Sequence, residues 1–170
     1  RIIPERAVRE KAIVQSRYLD DELIRVPAMA LERARMELGH MGELTEQMLA
    51  KAKAAFQARD LTELSQQYDQ IVVLRDAVLA YLQHVGRGEM SDAEADEHAR
   101  LVAATGDIEN MGAAISHELA PLAQTLKEAG IMPSPETSDL LERLFQAIQE
   151  AADSALTALV ESDERAAQRV

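Results

Sequence analysis

The chain has 170 residues, 47% of them apolar but only 3% aromatic, and a formal net charge of −12. That length allows one domain with a sizeable core. The aromatic-poor composition argues against a β-sandwich, and the acidity argues against nucleic acid as a partner. With no Cys there is no disulfide framework, thiolate metal site or thiol nucleophile, and the longest apolar run, residues 77–82, is too short to span a membrane.

The first 19 residues form a basic leader. Arg1, Arg6, Arg9, Lys11 and Arg17 stand against Glu5 and Glu10, a net of +3, which leaves −15 for the remainder. Such a leader reads either as a flexible arm or as the cytoplasmic flank of a transmembrane helix, where Lys and Arg accumulate. The body, residues 20–170, has helical periodicity throughout. A first helix is predicted from Pro27, a residue suited to the first helical turn, to about Ala58. Its stripe is Leu31, Ala34, Leu38, Met41, Thr45, Met48, Ala52 and Ala55. Met29, Met36, Met41 and Met48 read as core filler.

Asp60 is the expected N-cap of a second helix over residues 61–85, striped by Leu64, Tyr68, Ile71, Arg75, Val78, Leu82 and Val85 and stopped by Gly86 and Gly88. Ser91-Asp-Ala-Glu94 has the form of a capping box. The third helix it opens runs to Gly130, with stripe residues Leu101, Thr105, Ile108, Gly112, Ile115, Leu119, Leu122 and Leu126 and a kink or break expected at Pro121. Gly106 and Gly112 each cost about 1 kcal/mol relative to Ala in a helix, which points to close packing at both. Ser134-Pro135 opens a fourth helix with stripe Leu141, Leu144, Ile148, Ala152, Ala155 and Leu159. Ser162-Asp-Glu164 resembles another N-cap with only six residues beyond it, so the chain reads as a segment cut at both ends. The expected fold is an all-α antiparallel bundle of long helices. The fourth helix either folds back on the first three or leaves an apolar stripe that promotes a weak homodimer.

Chemistry is sparse. Glu37-x-x-His40 has the spacing of one half of a di-iron site, but His84, His98 and His117 lack a Glu three residues earlier. There is no Gly-rich phosphate loop and no G-x-S-x-G nucleophile motif.

The segment Thr105-Gly-Asp-Ile-Glu-Asn-Met-Gly112 resembles the D-L-E-R-I-G-D stretch of PhoU-like domains. Residues 18–49, with Val26-Pro-Ala-Met-Ala-Leu-Glu-Arg-Ala-Arg-Met-Glu37, are similar to the opening of the PhoU-like domain at the C-terminal end of bacterial sodium/phosphate cotransporters. Residues 74–82 resemble that family's second helix. The resemblance covers about residues 17–165. It implies a three-helix repeat followed by an incomplete second repeat. It also implies a regulatory domain on the cytoplasmic side of the inner membrane, in contact with the transmembrane part of its own transporter, and makes Arg6, Arg9, Lys11 and Arg17 membrane-proximal. A free-standing helical scaffold or partner-binding module is the alternative, and a metal-dependent bundle enzyme a third reading.

PhoU-like domains carry acidic pairs spaced by four that hold metal ions. Here Ala113 stands four residues after Glu109, and the second-helix pair falls at Tyr68 and Val72. No tightly held cofactor is therefore expected, and Asp69, Asp107 and Glu109 are the candidates for weak divalent-cation binding.

Overall fold

The computed structural model describes residues 15–58 and 64–161. A single 3-10 turn, Asp21–Arg25, leads into α1 (Pro27–Ala58), followed by α2 (Leu64–Val85) and α3 (Asp92–Ala114). A five-residue π turn, Ile115–Leu119, joins α3 to α4 (Ala120–Glu128), and α5 (Pro135–Glu161) completes the bundle. Helix makes up 86% of the structure, far above the one-third typical of globular chains, and no strand occurs among the described residues.

Local chemistry sets the helix ends. Ser91 Oγ accepts from the Glu94 amide while the Glu94 carboxylate accepts from the Ser91 amide, the reciprocal box expected. Ser134 Oγ likewise accepts from the Thr137 amide at the start of α5. Gly130, at φ +65°, ends α4 in a Schellman arrangement: the Ile131 amide reaches back to Leu126 O and the Gly130 amide to Lys127 O. Asp60 and Ser162 lie outside the described residues.

α1 is the hub, packing against α2, α3 and α5. Its predicted stripe is buried from Leu31 to Ala52 and meets Ile71, Leu74, Val78 and Leu82 of α2 and Leu101 and Ile108 of α3. Each such side chain contributes about 1.5–3 kcal/mol of burial. Thr45 and Thr105 enter this core because their hydroxyls donate to the carbonyls of Met41 and Leu101, one turn back.

Three expectations fail in register. Met29 is half exposed, so only Met41 and Met48 of the four are core filler. The third-helix stripe holds through Leu119 and then slips. A π turn inserts one extra residue, so Ala123 turns inward and Leu122 is left half exposed. The break anticipated at Pro121 thus takes the form of a π turn just upstream of it.

In α5 the inward face is Leu141, Phe145, Gln149, Ala152, Leu156 and Leu159, while Leu144, Ile148 and Ala155 are exposed. Two glycines of α1 help set that register. A Cβ on Gly42 would lie 2.2 Å from Leu156 Cδ2, and one on Gly39 would lie 3.0 Å from Val160 Cγ2. α5 therefore folds back onto α1 and still leaves Leu140, Leu144 and Ile148 facing outward.

Candidate functional site

Tyr68, Arg75 and Glu109 form a closed polar cluster between α2 and α3. Tyr68 Oη donates to Glu109 Oε1 at 2.5 Å, and Arg75 Nη1 lies 3.6 Å from Glu109 Oε2. The hydrogen bond to Glu109, then burial, pushes the Tyr68 phenol up. The His117 ring meets Tyr68 edge-on with centroids 4.8 Å apart. Both Glu109 oxygens are thus engaged by side chains of the protein itself, and the cation beside them is a guanidinium.

Asp69 and Asp107 are exposed. Among the described residues no three His, Asp or Glu side chains converge to hold a metal ion. Gly112 is a true close approach, its Cβ position 3.2 Å from Ile71 Cδ1. Gly106 has open space around it, so its expected packing role does not hold. Arg6, Arg9 and Lys11 lie outside the described residues. Arg17 is exposed, and its backbone amide donates to Glu37.

A second site forms where the entry strap, residues 15–26, crosses α1. Glu37 is fully buried at mid-helix. Its Oε2 accepts from the backbone amides of Arg17 at 2.8 Å and Tyr18 at 2.7 Å, and its Oε1 lies 2.9 Å from His40 Nδ1. A carboxylate has only acceptor oxygens, so Nδ1 is the donor in this contact. The Glu37-x-x-His40 spacing thus serves to latch the strap. Further along the strap, Asp20 caps the 3-10 turn through the Glu22 amide, and Tyr81 Oη donates to Asp20 O at 3.0 Å. Burial pushes the Tyr81 phenol up. Leu19 and Ile24 pack on the core.

Beside this latch a groove of about 430 Å³ opens between the strap, α1 and α5. α1 lines it with Met36, His40, Glu43 and Glu46, and α5 with Asp153, Leu156 and Val160. Burial, then the charges of Asp153 and Glu43, pushes the Glu46 carboxyl above the usual carboxylate range. Glu46 Oε1 is buried without a hydrogen-bond partner.

Sequence reading missed Tyr18, Glu43, Glu46 and Asp153. The available signals were Glu37 standing within an apolar stripe and Gly39 and Gly42 three residues apart on one helix. No protein-family model, curated protein or solved structure matches the chain. The class that the fold defines is an all-α helical bundle.

Proposed function

We propose that this chain is a non-catalytic regulatory or coupling domain of a sodium-dependent phosphate transporter, on the cytoplasmic side of a bacterial inner membrane. It acts by contact with the transporter's transmembrane part. The observation that carries this reading is the Glu37 latch: buried deep in α1, the carboxylate grips the backbone of Arg17 and Tyr18. A grip on main-chain amides has no rotatable side chain on the strap side, so a displacement of α1 moves the strap with it. The similarity of residues 18–49 and 74–82 to PhoU-like domains supports the same reading. The closed Tyr68–Glu109–Arg75 cluster favours control through contact over control through a bound metal.

The test is made on the intact carrier. Deleting the domain should change sodium-dependent phosphate flux while sodium and phosphate recognition persist, and Glu37→Ala should reproduce part of that change. Unchanged transport and regulation in the deletion would sink the proposal. The isolated chain should bind phosphate no tighter than about millimolar, roughly 4 kcal/mol, because acidic residues such as Asp92, Glu94 and Glu136 occupy its helix N-termini. Micromolar binding would count against it.

A second reading, a free-standing partner-binding module or weak homodimer, is favoured by the outward-facing Leu140, Leu144 and Ile148. Light scattering across a concentration series separates it from a monomer.

A further inference from the structure

We infer that the outward face of α5 is the contact of a weak homodimer, in which two copies of α5 pair antiparallel about a two-fold axis near residues 145 and 146. This rests on the second reading above, in which that face is an interaction surface. It makes the occupant a second copy of this chain and sets the orientation and register of the pair.

Among the described residues α5 packs substantially on α1 alone, turning Phe145, Ala152 and Leu156 inward. A second stripe, Leu140, Leu144, Ala147 and Ala151, has the three- and four-residue spacing of a two-helix seam. At 3.6 residues per turn these four lie within about 60° of one another, and their centre is about 130° from the inward face. Leu140 is 60% exposed and Leu144 53%; Ala147 is exposed and Ala151 half-buried. Ile148 borders the stripe on one side, and Arg143 and Glu150 border it on the other, all three exposed.

The order of large and small side chains selects the orientation. In the antiparallel register Leu140 meets the partner's Ala151 and Leu144 meets the partner's Ala147, and the two-fold axis repeats both contacts. Each leucine fills the space over an alanine, so the two helices interlock. A parallel pair would instead stack Leu144 on the partner's Leu144 and Ala147 on the partner's Ala147. That arrangement crowds one level and leaves a gap at the next.

Charge selects the same register. Arg143 is the one Lys or Arg in α5, among carboxylates that include Glu136, Asp139 and Glu150. Its Nε donates to the Asp139 carbonyl at 3.4 Å, a contact that uses one of its five donors. The antiparallel register sets Arg143 across from the partner's Glu150, twice by symmetry. It sets Glu136 across from the partner's Thr157, so no carboxylate beside the seam faces another. The parallel register sets Arg143 against the partner's Ile148 and pairs it with no carboxylate. The seam from Glu136 to Thr157 is about 32 Å long at 1.5 Å per residue. One such strip is smaller than the interfaces of stable complexes, which bury about 1,200–2,000 Å², and each copy carries −12. The dimer is therefore weak, with an expected Kd of about 10–500 μM.

The experiment is sedimentation equilibrium of the 170-residue chain up to about 1 mM, on variants that keep the native helical circular dichroism. Leu144→Asp should weaken association at least about tenfold. Val73→Asp, at an exposed position on α2, should leave it unchanged. Arg143→Glu and Glu150→Arg should each weaken it about threefold or more. An equimolar mixture of those two variants should recover the native affinity, because both bridges of the mixed dimer again pair an Arg with a Glu.

A second arm reads the orientation. The chain has no Cys, so introduced thiols report the pairing directly. On oxidation, Leu140→Cys mixed with Ala151→Cys should cross-link as a mixed dimer, while neither variant cross-links to itself. A dimer in which Leu140→Cys joins to its own copy, or in which the mixed charge variants recover nothing, would overturn the antiparallel register and keep the second reading. A dimer that Leu144→Asp leaves intact, or a strict monomer at about 1 mM, would overturn both, because the outward face of α5 is then not where two copies meet.

Discussion

The two sides of α1 are built by different means. Toward α2 and α3 it presents Leu38, Met41 and Met48, each fully buried against aliphatic partners. Toward the strap and α5 it presents Gly39, Gly42, a carboxylate–imidazole pair and an acidic groove. Much of the apolar surface of α5 stays outside, with Leu140 and Leu144 more than half exposed. The first side is a dense apolar seam that fixes one arrangement. The second mixes apolar contacts of Phe145, Ala152 and Leu156 with buried polar groups and a solvent-open groove, and such segments open locally at lower cost. Stability is therefore concentrated on one side of α1, and adaptable surface on the other.

The largest contrast should come from large-to-small changes. Leu38→Ala should cost about 2–5 kcal/mol and Leu144→Ala less than about 0.5 kcal/mol, both read from urea unfolding. Equal costs would erase the distinction between the α1 seam and the outward face of α5. Glu37→Ala should cost about 1–3 kcal/mol by stranding the Arg17 and Tyr18 amides. Hydrogen exchange at those two amides should accelerate while that of Leu74 and Val78 changes least.

Gly42→Ala must displace Leu156 and should cost about 1–3 kcal/mol, loosening α5 ahead of α2. Gly106→Ala meets open space and should stabilise by up to about 1 kcal/mol. Opposite signs at these two glycines would sharpen the comparison, and equal signs would break it.

The smallest effect concerns pH. The Glu46 carboxyl is raised above its ordinary value of 4.5, so the folded state holds the proton longer than the unfolded state. Its contribution is fully present below pH 4.5 and is lost as pH rises through the folded value. Glu46→Gln should flatten this slope, by less than about 1 kcal/mol for a partly solvated group. Glu97 runs the other way. Burial would raise it, but hydrogen bonds from Arg35 and Arg100 bring it below 4.5. Its contribution is present above pH 4.5 and is lost as pH falls through the folded value.

The α1 seam was legible in the sequence because a long stripe at three- and four-residue spacing admits one face and one period. The capping signals at Ser91 and Ser134 were legible because they are local. The face of α5 was not, because Leu144 and Phe145 are adjacent and either phase gives an apolar stripe. What decides between them is Gly39 and Gly42 across the interface, more than a hundred residues away in sequence. Leu122 was misplaced for a related reason, since an added residue in a π turn leaves no compositional mark. The latch was half visible: Glu37 and His40 stood out as a pair, but their partners are backbone amides, which no side-chain pattern records.

The Tyr81–Asp20 bond closes a separation of 61 residues, and this has a consequence for synthesis. Asp20 leaves the ribosome before Tyr81, and its carbonyl cannot be gripped until Tyr81 has followed. At about 5–20 residues per second that interval is roughly 3–12 s. During it Leu19 and Ile24 have no α2 to cover them, and the nascent strap is a segment that a chaperone can hold. The part of the bundle made first is thus among the last to be fastened, and a pause in translation before residue 81 would prolong the time that this strap stays open.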